Sequence, residues 1–129
     1  MTKLWMQICR IFLGVMFLVA GVNGYFVILG LDPFIATSPD AMALFEFEYL
    51  LIIEKSLEVI CGVLLLIHQF IPLVLTILSP ITANIFLLHL FLDPSLLALA
   101  IVLVLCHGYL LYYYKDNFIA ILERKPKSS

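Results

Sequence analysis

Glu54, Lys55 and Glu58 are ionisable side chains inside an otherwise apolar stretch of this chain, residues 53–66. On an α-helix, Glu54 and Glu58 project from the same face, and Lys55 lies one turn from Glu58 on its flank. A glutamate or a lysine at the centre of a membrane costs about 2.5–3.5 kcal/mol on insertion scales. We therefore expect other helices to hide these groups from lipid, in a packed interior or around a wet cavity.

The composition places this stretch in a membrane protein. Of the 129 residues, 64% are hydrophobic and only 12% are charged, whereas about 45–50% apolar residues are usual in a soluble domain. Nearly every residue falls in or next to an apolar segment, so no separate soluble domain is expected.

Turn-forming residues divide the chain into four apolar segments. We predict an all-α integral membrane domain over residues 1–114, a bundle of four transmembrane helices. The helices are expected at about 7–31, 42–67, 72–92 and 95–114. The first segment is longer than the apolar core of a signal peptide and lacks a clean cleavage site, so it is interpreted as an uncleaved helix.

The basic residues indicate the orientation of the bundle. All but one of the seven lie near the start of the first helix or beyond the fourth: Lys3, Arg10, Lys115, Arg124, Lys125 and Lys127. By the positive-inside rule, both termini are predicted to be cytoplasmic. The tail, 115–129, is expected to be basic and amphipathic and to lie on lipid headgroups.

Counting from the outer helix ends at about 1.5 Å per residue predicts a layer of polar groups inside the bundle. The outer half would hold Asn23, Glu54, Lys55, His89 and Asp93, and the middle would hold Glu58, Asn84 and His107. Lys55 and Glu58 could form a buried ion pair, which would leave Glu54 for His89 or Asn23. Two interpretations stay open: a structural network that holds the helices in register, or a cavity that binds a polar headgroup or moves protons.

Several of these residues have more than one interpretation. His89 is either a hydrogen-bonded bundle histidine or a ligand or proton carrier, and Asp93 one turn away could orient and charge its ring. Asn84 is most simply an interhelical hydrogen-bonding residue, and His107, without an acidic neighbour, is most simply structural. A metal site from His89, Asp93 and Glu54 is chemically conceivable, but their spacing does not demand it, so no metal is predicted.

Glycines on the first helix predict a close helix contact. Gly14, Gly21 and Gly24 share a face with Arg10 and Phe17. Small residues let another backbone approach, so this face could pack within the bundle or against a second copy in a homodimer.

Cysteine spacing argues against several redox chemistries. Cys9, Cys61 and Cys106 form no CxxC pair and lie in three different apolar segments, whereas a thiol-disulfide enzyme needs a redox pair. Neither a haem motif, nor cluster cysteines, nor a flavin fold is present in the sequence. We expect no intrinsic cofactor, and nothing in the sequence indicates a nucleic-acid partner.

Two stretches, residues 10–23 and 79–94, resemble the DoxX-like family of small four-helix bacterial membrane proteins. The most specific part of the likeness is in the third helix: Asn84, His89, Asp93 and Pro94. The chain departs from the family at Gly24, where many relatives have a basic residue. Lys55 could supply a cation from the second helix instead.

The resemblance implies a multi-pass protein of the bacterial inner membrane, acting as an accessory or quinone-interacting subunit of a redox system that handles thiol or thiosulfate oxidation or oxidative stress. Glu54, Glu58, His89 and Asp93 would then bind a quinone headgroup or conduct its protons, and a redox partner protein would supply electrons. Whether the chain is itself an enzyme stays open. The alternatives are a small carrier or binding protein for a polar or lipidic molecule, and a non-catalytic membrane scaffold.

Overall fold

The computed structural model describes residues 2–32, 48–92 and 94–124, which form four α-helices and contain no strand. The helices are α1 (Thr2–Ile28), α2 (Glu48–Leu66), α3 (Ile71–Phe91) and α4 (Leu97–Tyr113). The predicted all-α class is confirmed. The predicted start of the second helix, near residue 42, and the site residue Asp93 both lie outside the described residues.

Three segments within the described ranges are long and apolar enough to cross a membrane: Thr2–Ile28, Ile71–Phe91 and Pro94–Tyr113. They indicate a multi-pass membrane protein. α2 differs because its 19 residues include Glu48, Glu54, Lys55 and Glu58. Because α2 carries these charges, it is the helix in which a functional site is sought first.

α1 ends at a left-handed glycine, Gly30, which has a φ of 76°. The Leu31 N–H donates to the carbonyl of Phe26 at 2.8 Å, and the Gly30 N–H donates to that of Val27 at 3.1 Å. These two bonds form a Schellman motif, for which glycine is favoured because it has no Cβ. The helix therefore ends at Ile28, short of the predicted residue 31.

The connection between α2 and α3 is the predicted tight turn. His68 and Phe70 both have positive φ angles, 58° and 55°, and the Gln69 N–H donates to the Leu64 carbonyl at 2.9 Å. Pro72 then lies in the first turn of α3, where its missing N–H costs nothing. A turn this short makes α2 and α3 antiparallel neighbours.

The start of α1, the α2–α3 turn and the end of α4 meet at one end of the bundle. The Tyr109 hydroxyl donates to the Thr2 carbonyl at 3.1 Å, and the Tyr114 hydroxyl lies 3.6 Å from Met6 Sδ. The Tyr114 hydroxyl is also hydrogen-bonded to Nε2 of the exposed His68, at 3.2 Å.

The described residues have an apolar exterior as well as a largely apolar core. Large apolar side chains cover the outside, and Leu105 on α4, for example, is 66% exposed. Polar side chains occur among the buried residues: Arg10, Asn23, Glu58, Thr82 and His107. An apolar exterior around a partly polar interior is the arrangement expected in lipid.

α1 and α2 pack antiparallel with their backbones in close approach. A Cβ added to Gly14 would lie 3.1 Å from the Gly62 carbonyl oxygen, and one added to Gly62 would lie 2.9 Å from the Gly14 oxygen. The predicted glycine face of α1 is therefore a close-contact face, and α2 of the same chain occupies it. Gly14 and Gly21 are therefore used within the bundle, which was one of the two predicted uses of this face, and a homodimer stays a prediction.

Beyond α4, two short 3-10 segments follow, Lys115–Asn117 and Ile119–Leu122. The side chains of Ile119, Ile121 and Leu122 are at least 57% exposed. Such a surface suits burial among lipid headgroups, and membrane contact by the tail stays a prediction.

Candidate functional site

The candidate site begins with an ion pair on α2. Lys55 Nζ lies 3.0 Å from Glu58 Oε2, and the two side chains are only 14% and 1% exposed. The buried ion pair foreseen from the sequence is confirmed. Both carboxylate oxygens of Glu58 are buried, and apart from the ion pair at Oε2 neither has a hydrogen-bond partner in the described part of the chain.

Glu58 is buried because its helix face points at the rest of the bundle. Glu58, Cys61 and Leu65 are at most 2% exposed, and Glu54 on the same face is half-buried. The shared face predicted from the 3.6-residue period is therefore the inward face of α2. Burying a carboxylate with one oxygen that makes no bond costs folding free energy. Binding of a proton or of a hydrogen-bond donor would lower that cost.

A notch in α1 holds Lys55 in place. A Cβ on Gly24 would collide with the carbon chain of Lys55, and a Cβ on Gly21 would lie 3.0 Å from the Lys55 carbonyl oxygen. The Lys55 side chain therefore crosses α1 at Gly24, a residue that has no side chain. That Lys55 supplies a cation in place of the family's basic residue at position 24 stays a hypothesis.

Further polar groups border the pair. The Tyr25 hydroxyl of α1 is hydrogen-bonded to Ser56 Oγ of α2, a link that sequence reasoning missed because neither residue is charged. Asn23 is 8% exposed, so it lies inside the bundle. We call Tyr25, Glu54, Lys55, Ser56 and Glu58 the α1–α2 polar cluster.

The remaining predicted site residues are not shown to join this cluster. His89 is half-buried on α3, and its pairing with Asp93 stays a prediction because Asp93 lies outside the described residues. Asn84 is exposed and forms no hydrogen bond within the described ranges, so the predicted interhelical bond is not seen there. Within those ranges, no group of three or more His, Cys, Asp and Glu side chains could hold a metal.

Arg10 is a buried charge whose hydrogen bonds were not predicted from the sequence. Its Nη1 donates to the carbonyl oxygens of Leu65 and Leu66, at 2.5 and 3.2 Å. Both carbonyls lie in the last turn of α2, where intrahelical donors are lacking, and the Leu65 carbonyl also accepts from the His68 N–H at 3.3 Å. A cation there offsets the helix dipole. Arg10 thus ties α1 to the end of α2 opposite the polar cluster.

His107 forms a second polar centre, between α3 and α4. Its Nδ1 lies 2.8 Å from Thr82 Oγ1, and its Nε2 lies 3.1 Å from the Leu75 carbonyl oxygen and 3.3 Å from Ser79 Oγ. A carbonyl only accepts, so Nε2 carries a proton and donates to Leu75. In the neutral ring Nδ1 then accepts from Thr82, and both ring nitrogens are satisfied, as expected for a structural histidine.

A lipid-facing groove passes over this centre. Its volume is about 350 Å³, and it is lined almost entirely by apolar atoms. The lining residues are Ser79, Thr82, Ala83, Phe86, Leu87, Val104, His107, Gly108 and Leu111. The volume falls in the range of small-molecule sites.

Two cysteines that are distant in sequence face each other. The Cys106 thiol of α4 interacts with the Cys9 thiol of α1, and both residues are partly exposed, whereas Cys61 is buried. Spacing along the chain could not reveal this contact, because it depends on how α1 and α4 pack.

No protein-family model, curated protein or solved structure matches this chain. The resemblance to the DoxX-like family therefore stays a hypothesis, and the site is assessed on its own geometry.

Proposed function

We propose that this chain is an accessory, quinone-interacting subunit of a membrane redox system, with the α1–α2 polar cluster as its site. The observation that carries the proposal is the Glu58 carboxylate, which is wholly buried, paired with Lys55 through Oε2 and unbonded at Oε1. An ionisable group inside the membrane that lacks a hydrogen-bond partner is by default a candidate functional residue.

The cluster offers both kinds of group that a quinone headgroup requires. The Lys55 ammonium can donate to a carbonyl oxygen of the oxidised form, and Glu58 Oε1 can accept from a hydroxyl of the reduced form. Glu54 is close enough to Glu58 to repel its charge, so a proton entering the cluster relieves that repulsion. In this proposal the chain's residues bind the headgroup and exchange its protons, and a partner protein exchanges the electrons.

The proposed setting is the bacterial inner membrane, with all four helices spanning it and both termini cytoplasmic. α2 spans in this arrangement because α1 covers its charged face with backbone and glycines. Lys3, Lys115 and Arg124 belong to the end of the bundle where α1 begins and α4 ends. The positive-inside rule assigns that end to the cytoplasm.

Ligand-induced stabilisation tests the proposal. The detergent-purified protein is heated with and without a panel of quinones, together with Glu58→Gln and, as a control, Asp116→Asn, which alters an exposed carboxylate beyond α4. A quinone at a hundredfold excess over its dissociation constant should stabilise the wild type by about 2.7 kcal/mol. Asp116→Asn should keep this shift and folded Glu58→Gln should lose it. If no quinone stabilises the wild type, the proposal is wrong.

The α3–α4 groove favours a second candidate function, a binding protein for a lipidic molecule. The groove is apolar and opens on the lipid side, and the polar atoms of Ser79, Thr82 and His107 lie along it. Gly108→Leu would place an apolar side chain in the groove, and no atom lies within 4 Å of a Cβ at that position. Stabilisation by a lipid that disappears in Gly108→Leu but persists in Glu58→Gln would support this function over the first.

A further inference from the structure

α3 carries a stripe of residues that faces away from the bundle. Its members recur at alternating spacings of four and three: Leu73, Ile77, Pro80, Asn84, Leu87 and Phe91. All are exposed except Ile77, which is half-buried, whereas Val74, Leu78 and Thr82 of the same helix are buried. We call this stripe the α3 seam. Alternating spacings of four and three are typical of a surface that packs lengthwise against another helix.

Asn84 is the exception within the seam because its side chain is polar. It lies three residues beyond Ile81, the middle residue of Ile71–Phe91, or about 4.5 Å from the helix centre at 1.5 Å per residue. Its amide is exposed and makes no hydrogen bond within the part of the chain that the structure describes. Lipid tails offer neither donors nor acceptors at that depth, so a polar group on a second helix at this face would stabilise the amide.

We propose that α3 pairs with α3 of a second copy of this chain, in parallel along the seam, with the two Asn84 amides hydrogen-bonded to each other. Two copies inserted in the same orientation are related by a two-fold axis along the membrane normal, so each seam residue meets its own counterpart. An amide is self-complementary, since its oxygen accepts and its nitrogen donates. A single asparagine in an apolar seam sets register and partner number in coiled coils.

The groove beside the seam adds complementary shape. Leu87 belongs to the seam and also lines the α3–α4 groove, and Gly108 across the groove has open space around it. A helix lying along the seam can therefore place an apolar side chain in the groove. No element in the described ranges covers the exposed residues of the seam. The glycine face of α1, in contrast, is covered by α2.

Cysteine cross-linking in lipid vesicles tests the pairing. The full chain, with Cys9, Cys61 and Cys106 changed to serine, receives either Leu87→Cys in the seam or Leu105→Cys. Leu105 is a matched control because it is the middle residue of α4 and is 66% exposed. In phosphatidylcholine vesicles under mild oxidation, Leu87→Cys should give a disulfide-linked dimer and Leu105→Cys should give little.

Removal of the amide provides the second arm. Energy transfer between labelled copies, measured against the protein-to-lipid ratio, should show Asn84→Leu associating about 5–30-fold more weakly than the wild type, which corresponds to 1–2 kcal/mol for one interhelical polar contact. Leucine suits a lipid-facing position, and thermal unfolding checks that the variant is folded. A wild type that stays monomeric, equal cross-linking at the two cysteines, or unchanged association of Asn84→Leu would each overturn the proposal.

Discussion

The carbon chain of Lys55 occupies the space that a side chain on Gly24 would need. The ammonium group at its end is thereby held 3.0 Å from Glu58 Oε2. One residue without a side chain on α1 thus positions an ion pair that belongs entirely to α2. The α1–α2 polar cluster depends on this fit between helices more than on either helix alone.

Gly24→Ala should therefore destabilise the protein by about 1–3 kcal/mol, the usual range for an overpacked contact. The matched control is Gly108→Ala, because a Cβ there meets nothing within 4 Å. This control should be neutral or stabilising by up to about 1 kcal/mol, since alanine favours the helix. Denaturant titration in detergent micelles measures both, and equal effects of the two changes would contradict the assigned role of Gly24.

The Lys55–Glu58 pair makes a prediction about coupling. Lys55→Met alone leaves a buried carboxylate without its cation, and Glu58→Leu alone leaves a buried ammonium, so each should cost about 3–5 kcal/mol. The double variant removes both charges and should be markedly more stable than the sum of the single effects implies. A double-mutant cycle on the free energy of unfolding measures this coupling, and additive effects would show that the pair does not interact.

Arg10 offers a similar test at the other end of α2. Arg10→Met keeps much of the side-chain volume but removes the donor to the Leu65 and Leu66 carbonyls, so it should cost about 1–3 kcal/mol. Lys3→Met is the control, because Lys3 is exposed on the same helix. Equal stability of the two variants in the same titration would mean that the capping contacts contribute nothing.

Helical periodicity accounts for what the sequence could predict. The inward faces of α1 and α2 follow from the spacing of Arg10, Gly14 and Phe17 and of Glu58 and Cys61, because a period of 3.6 residues fixes which side chains share a face. The composition likewise indicates a membrane environment. These properties depend on one helix at a time.

Contacts between helices were harder to predict from the sequence. His107 has no acidic neighbour in sequence, yet it is satisfied by Thr82, Ser79 and a carbonyl of α3, because that pairing depends on the rotation of α4 against α3. Asn84 was expected to bond inside the bundle, but its side of α3 faces outward. Periodicity groups residues on a face without stating where that face points.

The contact between Cys9 and Cys106 provides the last prediction. Because their thiols interact across the α1–α4 contact, mild oxidation of the detergent-purified protein should consume these two thiols and leave Cys61, which is 2% exposed, free. Mass spectrometry of the digested protein should then show a peptide pair joined through Cys9 and Cys106. Cys106→Ser should abolish that intrachain product, while Cys61→Ser should leave it unchanged. Equal oxidation of all three cysteines, or a bridge that includes Cys61, would contradict the packing of α1 against α4.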